Sequence, residues 1–487
     1  MRIDDLNRTS PAYDGDRLCR YRALHDGGEA WEEQVETWLP KRYVEPVELY
    51  AERMALATYT NDVAPLVGLL PGYLFASPLT LKDTPDDPYW TQVLPDDATG
   101  SGLGFSSYMQ AALTDAMVSR ASYTWVDMPS RENAPEGLTS LQAREGGYLS
   151  ARLVAFDASH LRRWWRGPGG ALTAVLFRDE FVKDDGATGD LSAKPEPHYR
   201  WTYIDATVVR EWEAPKSRDG GADIAPVREY AHGAGRLPVA ELVLNEDQWA
   251  MNKLYAPALR LLRARNGLDW HRHQCAYAML HVFSDRELSG LKGGDGWYVQ
   301  FGKDDTAEWS APPEHVAATL QDGASESMRD MYRVMRALFQ AAADSAAAES
   351  AASKDRDWQA FGVGLVETAE LVKDYARAVL QIVAARRGEK APDLDVEGLD
   401  GWQKADPSAL LDMLSRMPEL KRVAPEWATK AIAKAQLGVI ADEVDEADHD
   451  EIEKELEAWS PENEIAAGLA PDPRNAAGGA GGLPFGQ

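Results

Sequence analysis

Hydrophobic positions in the second half of the chain recur with helical spacing, over a stretch that has no proline between Pro313 and Pro392. The chain has 28 prolines in 487 residues. Because a proline inside a helix costs about 3 kcal/mol, this gap indicates helix. The apolar positions form two stripes, predicting two amphipathic helices. The first comprises Val316, Leu320, Met328, Met331, Tyr332, Met335, Leu338 and Phe339, and the second Phe361, Leu365, Val366, Val372, Tyr375, Ala376, Val379, Ile382 and Val383.

Residues 340–354 lie between the two stripes and contain no large apolar side chain. Their sequence, QAAADSAAAESAASK, is mainly alanine, serine and charged residues, and it can bury little apolar surface. The pattern therefore predicts an interruption between the two helices. Because alanine is also a good helix former, the ends of this interruption stay open.

The first half of the chain changes from helical to alternating spacing. Residues 1–38 are polar, and we expect a loosely packed arm. Helices are predicted at 46–63 and 101–120, the first ended by Pro65 and the glycine- and proline-rich stretch after it. Alternating β-branched and aromatic residues predict strands at 123–126, 148–156, 171–182 and 198–212. Residues 40–245 are thus predicted to form an α+β domain with a mostly antiparallel sheet.

A small β module follows, placed between two helical patterns. Residues 257–276 predict one helix, and helix resumes at Glu314. Between them, strands are predicted at 277–283 and 296–301, so the two helices can pack antiparallel with the module at their joined ends. Beyond a charged linker, the sequence predicts short helices and a disordered tail rich in Gly, Ala and Pro. The helices are predicted at 407–417, 425–441 and 449–459, and the tail at 466–487.

Composition and charge narrow the class of protein. The chain is 44% hydrophobic and 27% charged, as expected of a globular protein made inside a cell. Cys19 and Cys275 lie far apart, which implies no disulfide framework. The net charge of −28 disfavours tight, static binding to nucleic acid. It does not exclude a conduit, since DNA slides more freely over a surface to which it does not adhere.

The sequence contains few candidate catalytic, metal-binding or cofactor-binding residues. His271 and His273 are two residues apart and cannot share a helix face, while His271 with Cys275 gives only two ligands, so no metal site is predicted. Residues 100–108, GSGLGFSSY, lack the third glycine of a dinucleotide loop and are predicted as a turn and helix start, and no cofactor is predicted. Sixteen tryptophans fit subunit interfaces or carbohydrate stacking. The basic-aromatic run at 160–166 is interpreted as a salt-bridged interface.

Several stretches, and the order of the predicted parts, resemble the portal protein of tailed double-stranded DNA bacteriophages. Residues 50–78 are similar to an early portal helix with its following turn, and 148–165 to a strand that leads into a tryptophan-bearing segment. Residues 235–245, GRLPVAELVLN, resemble the strand that closes the wing sheet. Residues 255–283 look like the first stem helix entering the clip. The resemblance extends over roughly residues 40–460.

The resemblance implies a multidomain α+β protein with an α+β wing, a helical stem, a small β-containing clip and a helical crown. The implied parts are the arm (1–39), wing (40–245), first stem helix (246–276), clip (277–312), second stem helix (313–339), tunnel loop (340–357), long wing helix and linker (358–399), crown (400–460) and disordered tail (461–487). It also implies a non-enzymatic ring, usually of twelve subunits. Such a ring sits at one capsid vertex of the virion after synthesis in the host cytoplasm.

The resemblance further implies partners and working residues. Double-stranded DNA would pass through the channel during packaging and ejection. The other partners would be the terminase large subunit, a head–tail adaptor, and the major capsid and scaffolding proteins, with no membrane. The implied working residues are Ala341, Ala342, Ala343, Asp344, Ser345, Ala346, Ser350 and Ser353 in the tunnel loop, Arg260, Arg263 and Arg265 in the stem, and Gly293, Gly294, Asp295, Gly296 and Trp297 in the clip.

Two other classes remain open at the level of sequence. One is a hydrolytic enzyme, for instance a carbohydrate-active one, that uses an Asp/Glu pair among the tryptophans. The other is an acidic helical scaffold without a channel. The enzyme requires two carboxylates converging in a pocket, and no residue spacing selects such a pair.

Overall fold

The computed structural model describes residues 1–128, 142, 150–183, 195–246, 248–276, 279–283, 306–310, 314–335, 351–389 and 395–400. These residues all belong to the first of two structural units, Met1–Gly401. The second unit, Trp402–Gln487, holds the helices predicted after residue 400 and the predicted tail, which lie outside the described residues.

The N-terminal region is helical and packed, so the expectation of a loose arm was wrong. Leu6 and Trp38 are almost completely buried. Leu6 joins a core cluster with Trp201 and Trp212, which are distant in sequence. The helices are α1 (Ile3–Asn7), α2 (Gly15–Asp26), α3 (Gly28–Trp38), α4 (Val47–Ala55) and α5 (Val63–Leu74).

Helix α5 occupies residues that were expected to end a helix. Pro65 lies in its first turn, where the missing backbone N–H has no helical partner to lose. Pro71 lies inside the last turns, and the helix ends soon after it, at Leu74. The predicted helix at 46–63 is correspondingly shorter, ending at Ala55.

The next elements lead into the sheets. They are β1 (Thr80–Lys82), a π-helical turn (Tyr89–Val93), α6 (Leu94–Asp96) and α7 (Phe105–Ser119). The predicted helix at 101–120 is confirmed by α7, whose Met109, Leu113 and Ala116 have no exposed surface. The chain leaves α7 through Arg120, which has a φ of 75°.

Eight strands form two antiparallel sheets, which confirms the α+β prediction. The strands are β2 (Ala121–Asp127), β3 (Arg152–Asp157), β4 (Leu161–Arg166), β5 (Leu172–Lys183), β6 (Glu196–Ile204), β7 (Val208–Pro215), β8 (Arg228–Ala231) and β9 (Val239–Val243). Three of them pair in the order β3–β2–β9, and five in the order β4–β5–β6–β7–β8. A shared core joins the sheets, with Phe156 stacked on Phe177 at 4.2 Å.

Two strands differ from the sequence prediction. The run at 198–212 is divided into β6 and β7, because the Asp205 side chain accepts hydrogen bonds from the backbone N–H groups of Thr207 and Val208 and so makes a turn. The tryptophan-bearing segment at 161–166 is itself a strand, β4, and Arg166 in it forms a two-bond ion pair with Glu241.

The last described elements include three long helices and a second small pair of strands. They are α8 (Ala250–Ala276), β10 (Met279–Phe283), β11 (Thr306–Ser310), α9 (Glu314–Val334), α10 (Ala351–Arg387) and β12 (Asp395–Glu397), which pairs with β1. Helix α10 packs on the three-stranded sheet, where Tyr375 shares a buried hydroxyl contact with Thr124. Its stripe Leu365, Val372 and Val379 is buried, as its spacing predicts.

Candidate functional site in the helical hairpin

Helices α8 and α9 form an antiparallel hairpin. Arg260 contacts Asp330 at 2.7 Å, and Gly267 lies beside Leu320, so positions rise along α8 as they fall along α9. Strands β10 and β11 pair antiparallel, from Met279 opposite Ser310 to Phe283 opposite Thr306. At 1.5 Å per residue the two helices are about 40 and 30 Å long. The structure thus gives a long helical hairpin with a β-tip between its helices.

Gly267 allows the two helices to approach closely. A Cβ atom at this position would lie 3.3 Å from Cδ2 of Leu320. A glycine in mid-helix costs helix propensity, about 1 kcal/mol relative to alanine. Here the close approach of α9 gives that glycine a packing reason.

The second strand of the β-tip differs from the prediction. The partner of β10 is Thr306–Ser310, whereas the sequence suggested 296–301, the more aromatic run. Residues 284–305, with the predicted clip residues Gly293, Gly294, Asp295, Gly296 and Trp297, lie outside the described residues.

The three predicted stem arginines lie on α8, and each has a partner within the chain. Arg260 pairs with Asp330 of α9 and keeps 59% of its side chain exposed. Arg263 donates from Nε to the carbonyl oxygen of Trp38 at 2.9 Å. Arg265 pairs with Asp62 just before α5. These side chains therefore tie α8 to α9, to the end of α3 and to the start of α5.

Asn266 was not singled out from the sequence, yet it fixes the segment before α5 to the hairpin. Its buried amide Nδ2 donates to the carbonyl oxygens of Thr58 and Leu262, both at 2.9 Å. Its Oδ1 accepts the backbone N–H of Thr58 at 3.0 Å. A single polar side chain in a helical pattern carries no signal of this, because its partner lies about two hundred residues away in sequence.

A groove lies between α8, α9 and residues 58–63, and we call it the hairpin groove. Its volume is about 700 Å³. Aspartate and arginine side chains, among them Asp269 and Arg272, stand at its sides. Its apolar lining includes Ala258, Leu261, Leu262, Met328, Met331 and Tyr332.

Helix α9 turns a polar stripe towards solvent. The exposed residues recur every three or four positions and carry charges of both signs, together with small hydroxyl side chains. The stripe comprises His315, Thr319, Asp322, Glu326, Arg329 and Arg333. Such a surface has no concentrated positive charge with which to hold a phosphate backbone.

The predicted tunnel loop, 340–357, overlaps a helix at its C-terminal end. Helix α10 begins at Ala351, so residues 351–357, Ser353 among them, are helical. Alanine's high helix propensity accounts for the difference. The other predicted loop residues lie outside the described residues; they are Ala341, Ala342, Ala343, Asp344, Ser345, Ala346 and Ser350.

Among the described carboxylates, Asp115 and Asp157 come close together on a shared arginine, and neither lines the hairpin groove. Arg22 contacts Asp115 at 2.7 Å and Asp157 at 3.4 Å, and His160 Nδ1 lies 2.7 Å from Asp157. Burial raises the pKa of Asp115. Burial also opposes ionisation of Asp157, yet the His160 hydrogen bond and nearby positive charges outweigh it and hold that pKa below its usual range. Opposite shifts can serve acid–base catalysis, but these carboxylates are bound to arginine and do not line the hairpin groove.

The remaining candidate motifs have local structural roles. Cys275 Sγ lies 3.5 Å from His271 Nε2, and across the described ranges no group of three or more His, Cys, Asp or Glu side chains is placed to hold a metal ion. In the glycine-rich run, Gly102 donates its backbone N–H to Asp97 and Gly104 starts α7, which confirms a turn and helix start. Within the described part of the chain, no helix has the length and apolar character needed to cross a membrane.

No protein-family model matches the sequence, and no curated protein matches it significantly. Solved structures with a similar fold include a chain in the virion of a native gene transfer agent particle. It is 10% identical, with a TM-score of 0.39 over 84% of this chain and 95% of that chain. Another is a chain in the neck of an empty gene transfer agent particle computed with C6 symmetry. It is 11% identical, with a TM-score of 0.40 over 77% of this chain and 91% of that chain. At these TM-scores neither likeness indicates a function for this chain.

Proposed function

We propose that the chain is the portal subunit of a phage-like particle. Copies of it would form a ring-shaped channel at one capsid vertex, through which double-stranded DNA is packaged and ejected. The observation that carries the proposal is the hairpin of α8 and α9, with the β-tip between them, inserted into one α+β body. Sheet, helix, β-tip, helix and a return to the sheet through α10 follow in the order that the sequence resemblance implies for wing, stem, clip, stem and wing.

On this proposal each part has a role. Helices α8 and α9 are the stem, β10 and β11 are the base of the clip, and α10 is the long wing helix. The tunnel loop would be 340–350, because α10 begins at Ala351. Residues 293–297 at the clip would dock the terminase large subunit and then a head–tail adaptor. The capsid and scaffolding proteins would surround the ring.

The exposed stripe of α9 suits the wall of a DNA channel. It offers polar contact without a cluster of cations, and the chain's net charge of −28 adds a general repulsion of phosphate. DNA would therefore stay hydrated and mobile inside the ring, since it would release few counterions to the wall. The force that moves the DNA would come from ATP hydrolysis by a separate motor, the terminase, and not from this chain.

Light scattering of the purified chain tests the proposal. We expect a mass near twelve times the 53.6 kDa of one chain. A folded protein that stays a monomer or dimer at every concentration would contradict a self-assembling ring and favour the enzyme or scaffold classes.

A further inference from the structure

The loop between α3 and α4, together with the first residue of α4, holds three apolar side chains out into solvent. Tyr43 is fully exposed, Val44 is 86% exposed and Val47 is 64% exposed. We call these three residues the apolar knob. Single exposed apolar side chains are common, whereas three within five residues of sequence are a candidate interaction surface.

The knob is held rigidly by an ion pair beneath it. The Glu45 carboxylate is buried and receives two hydrogen bonds from Arg53, at 2.8 and 2.9 Å. It also accepts the backbone N–H of Arg42, while Arg53 donates to the carbonyl oxygen of Pro40. These bonds lower the pKa of Glu45 to about 2. Because the loop is already ordered, a partner that binds the knob has little entropy left to remove.

The knob loop and the hairpin groove meet different faces of α8, and Asn266 lines the boundary on both sides. Arg263 and Gly267 line a small cleft together with Pro40 and Arg42 of the knob loop, whereas Leu261 and Arg265 line the hairpin groove. Residues two apart on a helix point about 200° apart. Tyr43 and Val44 stay exposed within one chain and so do not fill its own groove, but they can meet the groove of another copy.

Helix α3 contacts both the groove wall and α8 beside the knob loop, and its charge is opposite to that of the knob loop. Near its start, Trp31 stacks on Tyr59 of the groove wall, and at its end Trp38 accepts a hydrogen bond from Arg263. The helix is about 16 Å long. Four exposed glutamates recur along it at helical spacing and form what we call the acidic stripe: Glu29, Glu32, Glu33 and Glu36. The knob instead follows two exposed cations, Lys41 and Arg42.

We propose that the apolar knob of one copy seats in the hairpin groove of the next copy, with Lys41 and Arg42 against the acidic stripe of that copy. The contact uses two different surfaces, so it is head-to-tail and closes into a ring when the rotation between copies allows it. The inference deepens the proposed portal ring and rests on it.

The first test changes only exposed residues. Tyr43→Asp with Val44→Asp should keep the melting temperature, because neither side chain is buried. Ring formation should then need roughly a hundredfold higher concentration, as expected for the loss of two buried apolar side chains from an interface. The control is Val182→Asp with Val227→Asp, two valines elsewhere on the surface that are 63% and 58% exposed, which should leave the ring intact.

The second test asks whether the contact is head-to-tail. Chains with Tyr43→Asp and Val44→Asp lose the knob, and chains with Met328→Arg lose the groove. Each should be a folded monomer alone, and a mixture of the two should form one-to-one dimers and nothing larger. A charge exchange avoids any change in the groove: Lys41→Glu with Arg42→Glu should assemble only with chains that carry Glu32→Lys and Glu33→Lys.

The possible outcomes separate this inference from the portal proposal. If the wild-type chain forms rings and the knob variant forms them equally well, the knob contact is wrong and the portal proposal stands. Photo-crosslinks from position 43 that reach only residues of the same chain would also overturn it. If the wild-type chain forms no ring at all, the portal proposal fails first.

Discussion

Buried charged side chains in this fold are paired, and they fix the geometry on which the proposed function depends. Arg387 is 5% exposed and contacts Asp87 at 2.6 Å and Glu389 at 3.0 Å, with Tyr89 stacked 4.1 Å away. These contacts hold the end of α10 against the segment that follows β1. The Glu45–Arg53 pair does the same for the knob loop. Removing one partner of such a buried pair lowers the free energy of unfolding, because the other charge is left buried without a counter-charge.

Glu45→Gln should weaken ring assembly without touching the knob itself. The variant keeps the size of the side chain but loses the charge that orders the loop, so we expect roughly tenfold weaker assembly, since the loop must then be ordered on binding. The lowered pKa of Glu45 also determines how its stabilisation of the fold depends on pH. The stabilisation by the ionised Glu45 carboxylate is fully present above the unfolded-state pKa of about 4.3 and is lost as the pH falls towards 2. The melting-temperature difference between wild type and Glu45→Gln should therefore be constant above pH 5 and vanish near pH 2.

Glu48→Gln is the matched control, because Glu48 is an exposed carboxylate three residues further on. It should leave both assembly and the pH profile as in the wild type. A Glu45→Gln chain that assembles like wild type would show that the ion pair does not order the knob.

At the scale of elements, the hairpin of α8 and α9 depends on close packing at Gly267. Gly267→Val places a branched side chain where a Cβ alone would be 3.3 Å from Leu320. We expect the free energy of unfolding to fall by about 1–3 kcal/mol, as for other overpacked sites. Gly323→Ala is the matched control in α9, where an added Cβ meets no atom within 4 Å. It should raise the free energy of unfolding by about 0.5–1 kcal/mol through helix propensity.

Urea unfolding of the two glycine variants measures both effects. Equal stability of Gly267→Val and the wild type would mean that the helices are not in close contact at this point. It would also remove the packing reason for a glycine in mid-helix.

Elements with strong periodicity could be predicted from the sequence, and those that depend on context could not. The stripes of α9 and α10 indicated helices because their apolar positions repeat over many turns. Helix α5 was missed because Pro65 and Pro71 suggest a break, although the first turn tolerates proline. The arm was missed because α1 to α3 are short and polar, and their few buried side chains find their core in distant segments.

The contacts of the helical hairpin could be predicted only in part, because they too depend on residues that are distant in sequence. The resemblance implied Arg260, Arg263 and Arg265 as stem residues, and the structure places all three on α8. Their partners Asp330, Trp38 and Asp62 are distant in sequence, and no local pattern selects them. The knob at Tyr43 and Val44 was missed because exposure is a property of the folded chain: the same two residues in a polar stretch could equally have been buried.

At the scale of the whole molecule, one copy of the chain exposes surfaces that it does not cover itself. The apolar knob, the hairpin groove and the acidic stripe all find partners if copies associate head-to-tail. In a ring, the polar stripe of α9 would line the wall of the channel. Each feature alone is compatible with a monomer, but together they favour a closed assembly through which an acidic polymer passes without adhering.

Negative-stain electron microscopy of the purified chain tests the central claim most directly. The account predicts rings of about twelve subunits with an open central hole, as the portal resemblance implies. Particles without a hole, or a compact monomer near 53.6 kDa, would contradict it and would direct attention to Asp115 and Asp157, which share Arg22, as the start of a search for an active site.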